Sequence, residues 1–248
     1  RELGEHKGLR ELTLTTNGTQ LPRFADDLLT AGVSRINISL DTLRADRYRK
    51  LTRTGRIERA LHGIDAALAA GFERIKLNAV ILKHRNHDEV VDLVDFAIGR
   101  GIDISFIEEM PLGYVGDHDR AECFYSSDQI RQDLEQQYTL VPTAETTGGP
   151  SRYFRIPGLS TRVGFISPHS HNFCSTCNRV RLTSEGRLLL CLGQEHSVDL
   201  RRVMRGNPGD DGALKQAILD SMTIKPKGHD FDLETKPVIF RHMNHTGG

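Results

Sequence analysis

The sequence predicts an α/β fold, a partial βα barrel with an appended C-terminal region, on two observations. Residues 11–138 alternate short β-type runs with helical patterns, and from about residue 145 that alternation gives way to a cysteine-bearing segment and polar helices. Such βα units build a parallel sheet or barrel, with functional groups gathered at the C-terminal ends of the strands. Four units are too few to close a barrel, and the chain opens with Arg1 rather than Met, so earlier strands are expected upstream. The expected division is 1–144 for the barrel part and 145–248 for the appended region.

The strands, in order, are LTLTTNG, RINISLD, RIKLNAVIL and IDISFIEEM. Between them run helices with apolar stripes near a period of 3.6: Ile57, Ala60, Leu61, Ile64, Ala67 and Leu68 in one, Val90, Val91, Leu93, Val94, Ala97 and Ile98 in another. Asn86 with Glu89, and Ser126 with Gln129, have the spacing of a helix N-cap and its reciprocal partner. Gly71 and Gly101 stand where helices should end.

Strands buried on both faces should be almost wholly apolar, and these are not. Asn37, Ser39 and Asp41 share one face of their strand while Ile36, Ile38 and Leu40 share the other. Lys76 and Asn78 oppose Ile75, Leu77 and Ala79, and Thr13, Thr15 and Asn17 repeat the pattern. If the apolar faces meet the helices, the polar faces line a concavity suited to a polar ligand. A plain solvated face is the alternative.

The appended region starts at TTGGP and continues through SRYFRIP and TRVGFISP into the cysteine segment, then polar helices from about 198 to 222. VRLTSEGRLLLCL reads as two strands joined by a Ser184-Glu185-Gly186 turn, which would return Cys191 toward Cys174 and Cys177.

Composition bounds what such a chain does. With 38% hydrophobic and 27% charged residues it reads as globular. Lys plus Arg equals Asp plus Glu at 33 each, so no basic field draws it to nucleic acid. No run approaches the ~18 apolar residues of a membrane span, and no leader opens the chain, so no membrane role and a cytoplasmic location are expected. Three of four cysteines fall within eighteen residues, which argues for metal rather than disulfides; Cys123 lies apart, in a surface segment.

Cys174, Cys177 and Cys191 offer three thiolates. Zinc would require a fourth ligand, which His169, His171 or His196 would supply, and a [4Fe–4S] cluster held by three cysteines would leave one iron open. Spacing alone leaves both standing. Arg179 and Arg181 share a face of the strand that follows, with Val180 offering main-chain groups, and paired guanidinium forks suit an oligophosphate.

CSTCNRVRLTSEGRLLLCL, with LTTNG, RINISLD, RIKLNAVI, FIEEMPLG and the terminal MNHTGG, resembles the radical S-adenosylmethionine (SAM) GTP 3',8-cyclases of molybdenum cofactor biosynthesis, over essentially the whole chain. The resemblance implies a radical SAM partial barrel with a C-terminal iron–sulfur extension, and conversion of GTP to 3',8-cyclo-7,8-dihydro-GTP. It implies two [4Fe–4S] clusters and SAM as cofactors, one cluster held here by Cys174, Cys177 and Cys191. Thr15, Lys76, Arg179, Val180 and Arg181 then match GTP-binding positions, and Ser39 and Met110 match SAM-binding positions. Arg179, Arg181 and the tail glycines Gly247 and Gly248 match catalytic ones. It further implies a flavodoxin or ferredoxin as electron donor and delivery of product to cyclic pyranopterin monophosphate synthase, and it allows a homodimer. One departure stands out. The 248 residues contain no CxxxCxxC, the spacing that holds the SAM-cleaving cluster, so these residues alone are not expected to generate the radical. A zinc- or cluster-stapled nucleotide-binding module without radical chemistry, and a hydro-lyase with an open-iron cluster, are the alternatives.

Overall fold

The computed structural model describes residues 2–113, 118–233, 239 and 241. In chain order the elements are β1 (Leu12–Thr16), α1 (Leu21–Thr30), β2 (Val33–Ser39), α2 (Ala45–Thr52), α3 (Ile57–Ala70), β3 (Arg74–Val80), α4 (Val90–Arg100), β4 (Asp103–Ile107), α5 (Arg120–Cys123) and α6 (Ser127–Glu135). There follow β5 (Val141–Pro142), β6 (Arg152–Arg155), β7 (Arg162–Ile166), β8 (Arg181–Leu182), β9 (Arg187–Leu189), β10 (Ser197–Asp199), α7 (Leu200–Gly206) and α8 (Asp211–Thr223). The chain divides into two compact units, residues 1–109 with 122–170, and residues 110–121 with 171–248.

The first unit is a seven-stranded sheet in the order β1-β2-β3-β4-β7-β6-β5. From β1 to β7 every neighbouring pair is parallel, while β6 runs antiparallel to β7 and β5 antiparallel to β6. The helical stripes meet the sheet as the periodicity predicts, since Ala60, Ile64, Ala67, Leu93, Val94 and Ala97 are fully buried. Leu68 departs from its stripe and stays 37% exposed, in the last turn of α3. Gly71 and Gly101 close α3 and α4 with φ of +82° and +64°, a left-handed conformation that a Cβ disfavours. Ser126 and Gln129 form the reciprocal cap of α6.

Two expectations are corrected here. The appended region does not begin at 145, because SRYFRIP and TRVGFISP supply β6 and β7 to the first sheet, and the compact units separate after Ser170. β7 pairs with β4, so a segment that looks like the start of a new region completes the old one. Asn86 stands at the N-cap position of a 3₁₀ turn, His87–Glu89, but its side chain makes no capping bond. Its side chain accepts from Leu82 N–H at 2.7 Å and donates to Asp41 O at 2.7 Å and Val80 O at 2.9 Å, satisfying the loop that leaves β3. The Glu89 carboxylate turns instead to Thr42 Oγ1, Leu43 N–H and Arg47.

In the second unit β8, β9 and β10 form an antiparallel sheet in the order β10-β9-β8. The predicted turn closes the hairpin, with Thr183 N–H donating to Arg187 O and Gly186 N–H to Thr183 O, both at 2.9 Å. Leu188, Leu190 and Leu200 make its small apolar core, against which Leu214 and Ala217 of α8 pack. Among the described residues, no helix is long and apolar enough to cross a membrane.

Candidate active site

Strand register assembles the first group of side chains. Thr15 of β1 lies beside Asn37 of β2, and Asn37 beside Lys76 of β3. Further along, Ser39 lies beside Asn78, and Asn78 beside Ser105 of β4. These residues project from the face opposite the buried Ile36, Ile38, Ile75 and Leu77, as alternation requires. Asn37 Nδ2 donates to Thr15 Oγ1 at 3.4 Å; Thr15 and Ser39 remain open to solvent, and Asn37 is half-buried.

Lys76 is buried, 8% exposed. Its Nζ donates to the Tyr153 hydroxyl at 3.3 Å. The neighbouring carboxylate, Asp103, is committed elsewhere. Arg162 donates its backbone N–H to Asp103 Oδ1 at 2.9 Å and grips both carboxylate oxygens with its guanidinium, which also reaches Glu145 at 2.9 Å. Among the described residues no carboxylate pairs with Lys76. Burial alone would raise the Tyr153 phenol, but the Lys76 charge and hydrogen bonds with Thr147, Lys76 and Ser151 outweigh it, so the phenol lies below its usual value. Gly164 leaves room for this cluster: a Cβ there would fall 2.2 Å from Ser151 Oγ and 2.6 Å from Ser105 Oγ.

Asp41 lies just past the end of β2, on the polar face. Its Oδ1 accepts Val80 N–H at 2.8 Å, among the described residues no cation pairs with it, and desolvation pushes its carboxyl up to about 6 against the smaller opposing effect of that hydrogen bond. Where β4 ends, the fully buried Glu108 accepts Ser127 N–H at 2.9 Å, His169 N–H at 3.0 Å, Ser170 N–H at 3.1 Å and the Ser170 hydroxyl.

The second group lies in the second unit. A single 3₁₀ turn, Cys174–Thr176, sets Cys174 and Cys177 three residues apart on one side, with Cys177 N–H donating to Cys174 O at 3.0 Å. Cys191 follows β9, whose pairing with β8 sets Leu189 beside Arg181. All three cysteines are free and half-buried. Arg179 donates to Cys177 Sγ at 3.6 Å while its guanidinium carbon stands 5.0 Å from the Phe173 ring centre. Burial would raise the Cys177 thiol, but the Arg179 N–H and guanidinium, with the charges of Arg179 and Lys225, carry it below its usual value. Arg181 is itself lowered, first by burial and then by Arg179, with Cys177 and Cys191 opposing. Val180 is 41% exposed.

Of the histidines weighed as a fourth ligand, His169 has its ring engaged elsewhere, Nε2 meeting Glu109 O at 2.9 Å. Among the described residues no three His, Cys, Asp or Glu side chains gather as a single metal ion requires. Met110 falls in the second unit, its carbonyl accepting Leu112 N–H at 2.7 Å. Gly247 and Gly248 lie outside the described residues. Sequence reasoning missed Tyr153, Glu108 and Lys225. Tyr153 lies 77 residues from its partner Lys76 and belongs to no motif, so no local signal could have exposed it.

Comparison with known proteins gives two family matches that nearly tile the chain. The radical SAM superfamily matches residues 1–97, and the molybdenum cofactor synthesis C family matches residues 102–231. The GTP 3',8-cyclase of Pseudomonas entomophila (strain L48) is 62% identical over 242 residues, covering 97% of this chain and 72% of its own length. Those of Pseudomonas syringae pv. syringae (strain B728a) and Marinobacter nauticus are 58% and 55% identical, covering 97% and 100% of this chain and 73% and 75% of their own.

Proposed function

The chain belongs to the GTP 3',8-cyclase family of radical SAM enzymes, and from that premise we propose how its residues divide the work of the first step of molybdenum cofactor biosynthesis. The reaction joins C3' of the ribose to C8 of guanine in GTP. SAM and a reduced [4Fe–4S] cluster would supply the carbon radical that removes the C3' hydrogen, and the CxxxCxxC that would hold that cluster is not among these 248 residues. The protein's own part is to bind, orient and shield.

Thr15 and Lys76 hold GTP at the polar face of the first sheet, and Ser39 and Met110 contact SAM. In the second unit Cys174, Cys177 and Cys191 would hold a [4Fe–4S] cluster, which would supply an iron to bind the substrate. The donor set fits that group. The thiols are free, half-buried and surrounded by Arg179, Arg181 and Lys225, and a four-iron cluster is wider than a single ion, so its thiolates need not converge on one point. Arg179, Val180 and Arg181 contact GTP and, with Gly247 and Gly248, guide cyclisation. A flavodoxin or ferredoxin serves as electron donor, and the product passes to cyclic pyranopterin monophosphate synthase.

The observation that carries the substrate reading is Lys76, a buried ammonium whose neighbouring carboxylate is already taken. A desolvated cation with only a neutral phenol is poorly satisfied, and a nucleotide's anionic oxygens complete it. Losing one charge-assisted hydrogen bond of about 1.5–3 kcal/mol corresponds to about a 10- to 150-fold drop in affinity. Lys76→Met is therefore expected to weaken GTP binding by that factor, to affect guanosine far less, and to leave the fold intact, as read by calorimetric titration and circular dichroism. Equal losses for both ligands, or none, would remove Lys76 from the substrate site.

A further inference from the structure

The cysteines of the second unit are carried by the turn at 174–177 and the end of β9, and one further segment touches the arms of both. This is Lys225 to Phe231, which follows α8 with the sequence KPKGHDF. Lys225 Nζ donates to the carbonyl of Arg179 at 3.0 Å and to that of Leu190 at 2.6 Å. Arg179 is two residues past Cys177, and Leu190 immediately precedes Cys191. Gly228 lies against the third cysteine, where an added Cβ would stand 3.6 Å from Cys174 Cβ and 3.9 Å from its Sγ. Beyond Cys191 the same segment continues. His229 and Phe231 cover Gly193, and Gln194 Nε2 donates to Asp230 at 2.6 Å.

A lysine just after a helix usually serves that helix's own last carbonyls. Lys225 does not, since both acceptors belong to other segments, 46 and 35 residues away. An ammonium has three donors and no acceptor, and two of them here bind main-chain oxygens that move with the cysteines. Among the described residues it pairs with no carboxylate, so its charge is not cancelled.

We propose that Lys225 is a positioning residue of the three-cysteine site, clamping the backbone beside Cys177 to the backbone before Cys191 and supplying a fixed positive charge to the group those thiolates hold. The inference rests on the reading that Cys174, Cys177 and Cys191 carry a [4Fe–4S] cluster. Thiolate-bound clusters are anionic and become more so on reduction, so a nearby cation favours the reduced form. Groups that orient metal ligands without binding the metal commonly govern affinity and potential in this way.

The test uses the full chain reconstituted anaerobically with ferrous iron and sulfide, comparing wild type with Lys225→Met, Lys225→Gln and Lys225→Arg. Iron and sulfide content are measured, and the midpoint potential is followed by electron paramagnetic resonance of the reduced cluster. Lys225→Met is expected to lose about 10- to 100-fold in iron affinity. Lys225→Gln, which retains a donor but no charge, is expected to keep more iron while its potential moves lower than wild type. Lys225→Arg should restore both. Wild-type iron content and potential in Lys225→Met and Lys225→Gln would overturn the proposal. Reduced iron content with an unchanged potential in whatever cluster remains would also overturn it, by leaving only a structural role. A wild-type chain that takes up zinc but no iron and sulfide would instead remove the cluster reading, and the inference with it.

Discussion

Asp41 gives the most direct energetic test of the polar face. Its carboxyl is desolvated and rises from 3.8 to about 6 in the folded chain. The folded state thus favours the protonated acid, and its contribution is fully present below the unfolded value and is lost as pH rises through the folded one. The interval from 3.8 to about 6 spans roughly two pH units, which at 1.36 kcal/mol each amounts to about 3 kcal/mol between pH 4 and pH 7. Asp41→Asn keeps an oxygen for Val80 N–H and removes the titration. The new amide NH₂ carries its own cost if it finds no acceptor, but that cost is the same at every pH. The informative quantity is therefore the difference between the two proteins as pH changes. Urea unfolding from pH 4 to 7.5 is expected to show Asp41→Asn gaining about 3 kcal/mol on wild type across that range. Groups titrating the other way, such as Asp88 held low by Arg47, cancel in the comparison. A flat difference would show that the Asp41 carboxyl is ionised and solvated in the folded protein.

Two further predictions concern the frame and the metal site. Arg162→Met leaves Asp103 buried without its partner, with side chains 7% and 12% exposed in the pair, and should cost about 3–5 kcal/mol in urea unfolding; a loss under about 1 kcal/mol would mean that the pair is solvated. Cys177→Ser removes one of three thiolates and should abolish iron retention and its broad visible absorbance after reconstitution, where unchanged iron content would dismiss the three-cysteine assignment.

The parallel strands were legible because each carries its own period-two signal between helices of period 3.6, and the caps at Ser126, Gly71 and Gly101 were legible because capping is local chemistry. So was the 181–189 hairpin, from its turn. What failed was long-range. β6 and β7 carry arginines at their ends and follow a Gly-Pro stretch, so they resemble a new region, and only pairing of β7 with β4 reveals otherwise. Asn86 and Glu89 have cap spacing, but loop backbone groups and the half-exposed Arg47 compete for their side chains and win. Lys225 could not be found at all, since its acceptors are main-chain carbonyls and main chain leaves no mark in a sequence.

The buried charges of this chain separate into two kinds. Glu108 and Glu89 are wholly buried and saturated with donors, four for the first, and two plus Arg47 for the second. Arg162 is likewise closed off by Asp103 and Glu145. Each such charge fixes backbone and has no capacity left for a ligand. Lys76, buried in the first unit, and Arg181, half-buried in the second, are different, because among the described residues neither has a carboxylate. Removing an ion from water costs several kcal/mol unless a partner repays it, and near Arg181 the like charge of Arg179 adds to that cost. A fold that spends acids freely on Arg47 and Arg162 yet leaves these two cations open is short of anion at two chosen places. An anionic substrate and a thiolate-bound cluster would make up that deficit, so charge balance, independently of family likeness, supports the proposed ligand binding at Lys76 and Arg181, while Glu89, Glu108 and Arg162 serve structure.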